Sequence, residues 1–425
     1  MRKLALPLLL LFISCTLNAQ KRNLDFYLQN AELNSPLINK NKNENKIVAL
    51  DLEQIKTFLT KPEINIEANI MLAPIINHDK NRFQIASKGA DKYIGYDLAT
   101  TDGGAYQAYI SIKQPIFTNP MLKSYSNKSD LTLQVNENNI ALTVHELEQI
   151  VSYQYILCLQ AKMQIENSQS LLKELDDQLV IMQKLVNHAI YKQTDLMLLE
   201  IEHQSFESEY QVFQAEYRNN LYDLNLVCGI NDTSIVDIQG ISFQLKSNPS
   251  DNSQFLTAFR LDSLNIIAEQ MITELKYKPQ LNLFADAGLN ATYQPSFNRL
   301  GFSTGITLSW NIFDGNQRKI QSDKSTINLN TIDFEKKNFI TQNEIYKHKI
   351  LNQIYSLDER MMLISNQAKQ YDQLLEVYSK EISLGEVSVM DYKNILKDIS
   401  AKKQERTLLE MEKQALINSY NYWNY

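Results

Sequence analysis

Two periodicities divide the chain. Ile354, Leu357, Met361, Ile364, Ala368, Tyr371, Leu375, Tyr378 and Ile382 recur at alternating steps of three and four, the seam of a coiled coil. Moved 196 positions back, the same comb falls on Cys158, Ala161, Ile165, Ser168, Leu172, Leu175, Leu179, Met182 and Val186, of which only Ser168 is polar. That shift also carries Asp391 to Asp195, Gly385 to Ala189 and Phe313 to Phe117, so the chain reads as an internal duplication. Four segments poor in glycine and proline, 121–189, 196–228, 316–384 and 386–425, are predicted to be helical.

The second periodicity is two. Ile64, Ile66, Ala68, Ile70 and Leu72 alternate with mostly polar residues, as do Tyr106, Ala108, Ile110 and Ile112. Leu281, Leu283, Ala285, Ala287 and Leu289 form a third such run, and Phe302, Thr304, Ile306, Leu308 and Trp310 a fourth. Lys61-Pro62-Glu63-Ile64-Asn65-Ile66 returns as Lys278-Pro279-Gln280-Leu281-Asn282-Leu283, at an offset of 217. The mismatch with 196 is expected to lie in a longer loop of the first hairpin, at Asn77 to Gly104. Runs of about ten residues suit a half-buried soluble sheet, and they also suit strands that cross an outer membrane at a tilt. Every charge lies on the polar face, so one face is free to meet lipid. Four strands cannot close a barrel, and an open edge in lipid leaves backbone groups unpaired; membrane strands here require several chains to share one barrel.

Composition sharpens the choice. The start, MRKLALPLLLLFISCTLNAQ, has a basic pair, an apolar run and a small residue at Ala19, the pattern of a secretory signal over 1–19. Ser14-Cys15 offers a rival, lipidated start, although Phe12 departs from a lipobox. Loss of Arg2 and Lys3 moves the net charge from −7 to −9, and no basic stripe points to nucleic acid. Cys158 and Cys228 sit in apolar helical patterns, as buried thiols do. The predicted organisation is a first repeat over 20–228, a linker over 229–250 that begins Gly229-Ile230-Asn231-Asp232, and a second repeat over 251–425. Helices are expected near Leu24 to Leu59 and Asp251 to Lys276 as well.

Between Asn316 and Tyr425 there is no proline and one glycine, Gly385. It is predicted to end the long helix in a left-handed cap, after which Asp391 opens the returning helix near its positive end. Ala189 lacks a glycine's freedom, so the first turn is expected to use different dihedrals.

Lys278 to Leu283, the stretch Leu308-Ser309-Trp310-Asn311-Ile312-Phe313-Asp314-Gly315, its counterpart Gln114-Pro115-Ile116-Phe117, and the turn from Gly385 to Asp391 together resemble the TolC family of outer-membrane efflux channels. The resemblance covers essentially the whole chain beyond the signal. It implies a mainly α fold with membrane β, internally duplicated. A long coiled-coil α-helical barrel joins a transmembrane β-barrel to which each of three protomers gives four strands. It implies a homotrimer in the outer membrane with a large periplasmic portion, the exit duct of a tripartite pump or a type I secretion system. Its partners are then a periplasmic adaptor, an inner-membrane transporter of RND, ABC or MFS type, and outer-membrane lipid. Asp391 matches a family entrance aspartate, and Asp195 is its repeat equivalent. The position of a second family acid is Asn394, and that of a gate arginine is Val387. The turn residues Gly385, Glu386, Val387, Ala189 and Lys192 are the expected adaptor-docking site.

Catalytic and cofactor readings fare poorly. His145-Glu146-Leu147-Glu148-Gln149 starts like a zinc-protease helix but lacks its second histidine. His188 and His203 read as solvated polar positions, no glycine-rich phosphate loop follows a strand, and no Ser/His/Asp set has context. Tyr420 to Tyr425 is either core packing or a contact with a neighbouring protomer. A periplasmic coiled-coil adaptor without a pore is the alternative to the channel.

Overall fold

The computed structural model describes residues 21–71, 75–79, 82–86, 105–246, 253–292 and 300–425. The signal segment, Cys15 and most of the first hairpin loop lie outside them. The elements in order are α1 (Leu24–Asn34), α2 (Pro36–Thr60), β1 (Glu63–Met71), β2 (Ile75–Asp79), β3 (Arg82–Ala86), β4 (Ala105–Ile116), α3 (Asn119–Asn187), α4 (Gln193–Val227), α5 (Gln254–Leu275), β5 (Gln280–Thr292), β6 (Leu300–Ser309), α6 (Gln317–Leu384) and α7 (Val389–Trp423). The expected first helix is two, because Pro36 has no N–H to continue α1 and holds Ser35 extended at ψ 117°. A small hairpin, β2 paired with β3, begins two residues before the expected loop and runs into it.

The chain forms two compact units, and α2, α3, α5 and α6 contribute residues to both. The first unit holds α1, α4, α7, the segment 229–246 and the later parts of α3 and α6. Its core follows the predicted seam. Leu171, Leu175 and Met182 of α3, Leu196, Leu199 and Phe206 of α4, Leu375 and Ile382 of α6, and Val389, Tyr392, Leu396 and Ile399 of α7 form one buried cluster. A second cluster packs Tyr27 of α1 with Tyr155 and Cys158 of α3, Leu221 and Leu224 of α4, and Cys228. Both thiols are free and buried, and burial pushes each up to about 12, so neither is a nucleophile at neutral pH.

Segment 229–246 has almost no regular structure, so its backbone groups need other partners. Side chains supply them. The Tyr217 and Tyr155 hydroxyls donate to the Val236 and Gln239 carbonyls at 2.8 and 2.5 Å. Asn421 accepts from the Lys246 N–H at 2.8 Å and donates to the Gln244 carbonyl at 2.9 Å. At its other side Arg22 runs parallel to Ile238 and its guanidinium pairs with Asp232 at 2.7 Å. The final residues pack inward within the chain. Tyr420 lies in the core, and His145 is stacked against Tyr425 and Tyr422, its Nε2 2.9 Å from the Tyr422 carbonyl.

The second unit is built on an antiparallel sheet in the order β1-β4-β5-β6. Register places Glu67 opposite Tyr109 and Tyr109 opposite Gly288, so polar residues of all four strands share one face. The apolar face is not the buried one. On the apolar face Ile66 is 82 % exposed and Phe302 86 %, whereas on the polar face Ser111 is 1 % exposed and Glu67 is half-buried. The Glu67 carboxylate accepts from the Tyr109 hydroxyl at 2.5 Å and pairs with Lys113 at 3.2 Å. Among the described residues, β1 and β6 each leave one edge unpaired. Phe117 and Phe313, 196 apart, are both more than four-fifths exposed where β4 and β6 give way to helix, and Phe117 holds φ +59°.

Candidate functional site

The two helix turns of the first unit are built alike. At the end of α3 the Ile190 N–H bonds to the Leu185 carbonyl and the Ala189 N–H to Val186, both at 2.9 Å. At the end of α6 the Glu386 N–H bonds to Glu381 at 3.0 Å and the Gly385 N–H to Ile382 at 3.2 Å. Every partner is shifted by 196. This 6→1, 5→2 pattern needs a left-handed residue at its centre. Gly385 has φ +80° and Ala189 has φ +58°. The expectation of different dihedrals at Ala189 is therefore wrong: the hydrogen bonds and packing of the turn hold alanine in a region that costs it roughly 1–2 kcal/mol.

The returning helices start differently. Ser388 is the N-cap of α7 and its hydroxyl accepts from the Asp391 N–H at 3.2 Å. Its repeat equivalent is Lys192, which has no acceptor to offer. There the Asp195 carboxylate reaches back and accepts from the Lys192 N–H at 2.9 Å. Asp195 is thus committed to capping. Among the described residues no hydrogen bond reaches the Asp391 carboxylate, which is exposed, as is Asn394 one turn along. Lys192 and Glu386 are exposed on their turns.

The turns are also tied together. The Tyr191 hydroxyl donates to the Val387 carbonyl at 2.6 Å, a bond between repeat-equivalent positions. Burial, with the charge of Asp195 adding, raises the Tyr191 phenol, which keeps it a donor. A Cβ on Gly385 would stand 2.8 Å from Ile190 Cγ2, so glycine serves there for space as well as for φ. Below the turns Glu202, 3 % exposed, faces Lys393 at 3.8 Å and Lys397 at 3.5 Å, joining α4 to α7. The Ser379 hydroxyl of α6 donates to Glu174 of α3 at 3.2 Å.

Sequence reasoning brought Gly385, Val387, Ala189, Lys192, Asp195, Asp391 and Glu386 to this region and missed Tyr191, Ile190 and Ser388. The 196-residue shift maps Tyr191 onto Val387 and Lys192 onto Ser388, and Ser388-Val389-Met390-Asp391 has the spacing of a capping box, so two of the three were readable. His188 is exposed as expected, whereas His203 sits 2.8 Å from Asp176 across the α3–α4 pair. Among the described residues no three side chains are grouped to hold a metal, and no helix is long and apolar enough to cross a membrane.

No protein-family description and no curated protein matches the sequence. Solved structures do match the fold. The CusC transmembrane channel superposes with a TM-score of 0.70 at 13 % identity, over 95 % of this chain and 92 % of that one. The CmeC outer membrane channel of Campylobacter jejuni gives 0.68 at 11 %, over 96 % and 86 %. The outer membrane protein VceC of Vibrio cholerae gives 0.68 at 13 %, over 94 % and 96 %. Across nearly its whole length, this chain has the TolC-type fold of the outer-membrane efflux channels.

Proposed function

We propose that the chain is one protomer of a homotrimeric outer-membrane channel, a passive exit duct for an efflux pump or a type I secretion system. The observation that carries this reading is the inverted sheet. Ile66, Ile70, Leu300, Phe302 and Ile306 stand exposed on the apolar face, while Glu67, Tyr109 and Asp286 on the polar face are half-buried and Ser111 is buried. In water an apolar face of that size is an aggregation hazard; in lipid it is the outer wall of a barrel. The unpaired edges of β1 and β6 are then closed by neighbouring copies. The turns at 186–195 and 382–391 form the periplasmic entrance. The exposed Glu386 and Lys192 meet a periplasmic adaptor, beside a transporter of RND, ABC or MFS type, and Asp391 contributes one carboxylate per chain to the entrance. The adaptor reading gives the exposed apolar face no role.

The test is Ile306→Arg, which places a charge on the middle of the outward face of β6. An arginine at mid-membrane costs a barrel about 2–4 kcal/mol. The native protein should fractionate with outer membranes as a detergent-stable oligomer, and the variant should accumulate unassembled in the periplasm. A variant that assembles as well as the native chain, or a native chain recovered as a folded monomer in plain buffer, refutes the proposal.

A further inference from the structure

The polar face of the sheet carries two aromatic side chains among its described residues, and they are held in different ways. Tyr109 is drawn to β1 by its bond to Glu67. Phe284 has no polar handle. It lies in the row Glu63–Lys113–Phe284–Gly305, one residue from each strand. A Cβ on Gly305 would meet Cε1 and Cζ of the Phe284 ring, each at 2.8 Å. The ring is therefore laid across the next strand in the space a side chain would fill. The burial of β6 bears this out, for every position of that strand is exposed except Gly305. The Thr304 hydroxyl donates to the Phe284 carbonyl at 2.9 Å and pins the backbone from which the ring swings. The ring lines a cavity of ≈ 410 Å³ together with Phe58, Glu63, Lys113, Asn282 and Asp286.

An aromatic ring projects from the wall, less far with a glycine beneath it and farther with a side chain there, which it must ride over. We propose that Phe284 and Gly305 together set the bore of the duct at their level, and so limit by size what passes along the polar face. This rests on the channel reading, in which that face lines the lumen. Gly305 acts only through Phe284 and is a positioning residue.

The experiment measures bore without depending on the periplasmic entrance. Asn282 lies on the same face as Phe284, two residues nearer the start of β5, so a reagent entering from the β5–β6 hairpin end passes Phe284 before reaching it. Asn282→Cys is introduced into the full chain, whose own Cys158 and Cys228 are 0 % exposed. Intact cells are treated with maleimides on polyethylene glycols of rising size. Phe284→Ala should admit a larger polymer, and Gly305→Leu should slow labelling at the native cut-off size by about tenfold. Phe284→Ala/Gly305→Leu should restore labelling at that size. An unchanged cut-off in Phe284→Ala and Gly305→Leu, even with a lower melting temperature of the oligomer, overturns the proposal and makes the pair a structural contact only. If Gly305→Leu does not assemble, Phe284→Ala alone decides. If Asn282→Cys resists even the smallest maleimide in intact cells, the channel reading itself has failed.

Discussion

Replacing Gly385 with alanine tests whether the second turn is glycine for its dihedral, for its space, or for both. At φ +80° a Cβ costs about 1–2 kcal/mol. The clash with Ile190 adds to this. Ile190 is 53 % exposed and its Cγ2 can yield, so about 1 kcal/mol, the low end for overpacking, is appropriate. The sum, about 2–3 kcal/mol, loosens the turn rather than abolishing it, as Ala189 already survives at φ +58°. With a tenfold change for each 1.4 kcal/mol, hydrogen exchange at the turn amides of Ile190 and Glu386 should speed up about 30- to 150-fold. The two contributions separate in a double-mutant cycle. Ile190→Ala removes the clash and leaves the dihedral, so Gly385→Ala in that background should cost about 1 kcal/mol less than in the native chain. Exchange measured by mass spectrometry on peptides covering 185–195 and 381–391 reads both values. Additive effects would refute the spatial argument, and unchanged exchange in the single variant would refute the dihedral one.

Tyr191→Phe strips the Val387 carbonyl of its donor, worth about 1 kcal/mol, and should raise the open fraction in planar-bilayer recordings at unchanged oligomer stability. Asp195→Ala should destabilise α4 by about 0.5–2 kcal/mol with little effect on ion selectivity, whereas Asp391→Ala, whose carboxylate caps nothing, should lower cation preference and block by trivalent cations. The Asp232 carboxyl is held down at about 2 by the Ser234 N–H and the Arg22 guanidinium. It therefore lends stability that is complete above the unfolded value near 3.9 and is lost as pH falls from about 4 to about 2. Asp232→Asn should abolish that part of the acid transition, seen as a flatter melting-temperature profile across this window.

The seam was legible because burial on a long helix pair leaves an unbroken comb, and all nine positions from Ile354 to Ile382 are buried or half-buried. The paired strands were legible for the same reason at period two. What alternation cannot tell is which face is exposed, since Ile66 and Glu67 alternate identically in a soluble sheet and in an inverted one; the exposure of Ile66 and Phe302 shows only in the fold. The β2–β3 hairpin escaped because each strand is five residues long and the polar stretch Asp79-Lys80-Asn81-Arg82 joins them, too little pattern to rise above a loop. Ala189 escaped because propensity argues against a left-handed alanine, while the turn's two hydrogen bonds and its repeat partner argue for it. The contrast between Asp195 and Asp391 depended on one neighbour, Lys192 against Ser388, whose consequence shows only once the caps are drawn.

The two open edges of the sheet have a genetic consequence. On the proposed assembly, the last backbone hydrogen bonds of each chain are made with other chains, so maturation is second order or higher in protomer and an altered edge is not a private defect. A proline in β1, the outermost strand, at a residue whose N–H points to the open edge, would remove a donor that a neighbour needs. If native and altered chains were made in equal amounts and mixed at random in threes, only about one ring in eight would escape the lesion. Such an allele would behave as dominant, and a gene copy that merely failed to be expressed would not.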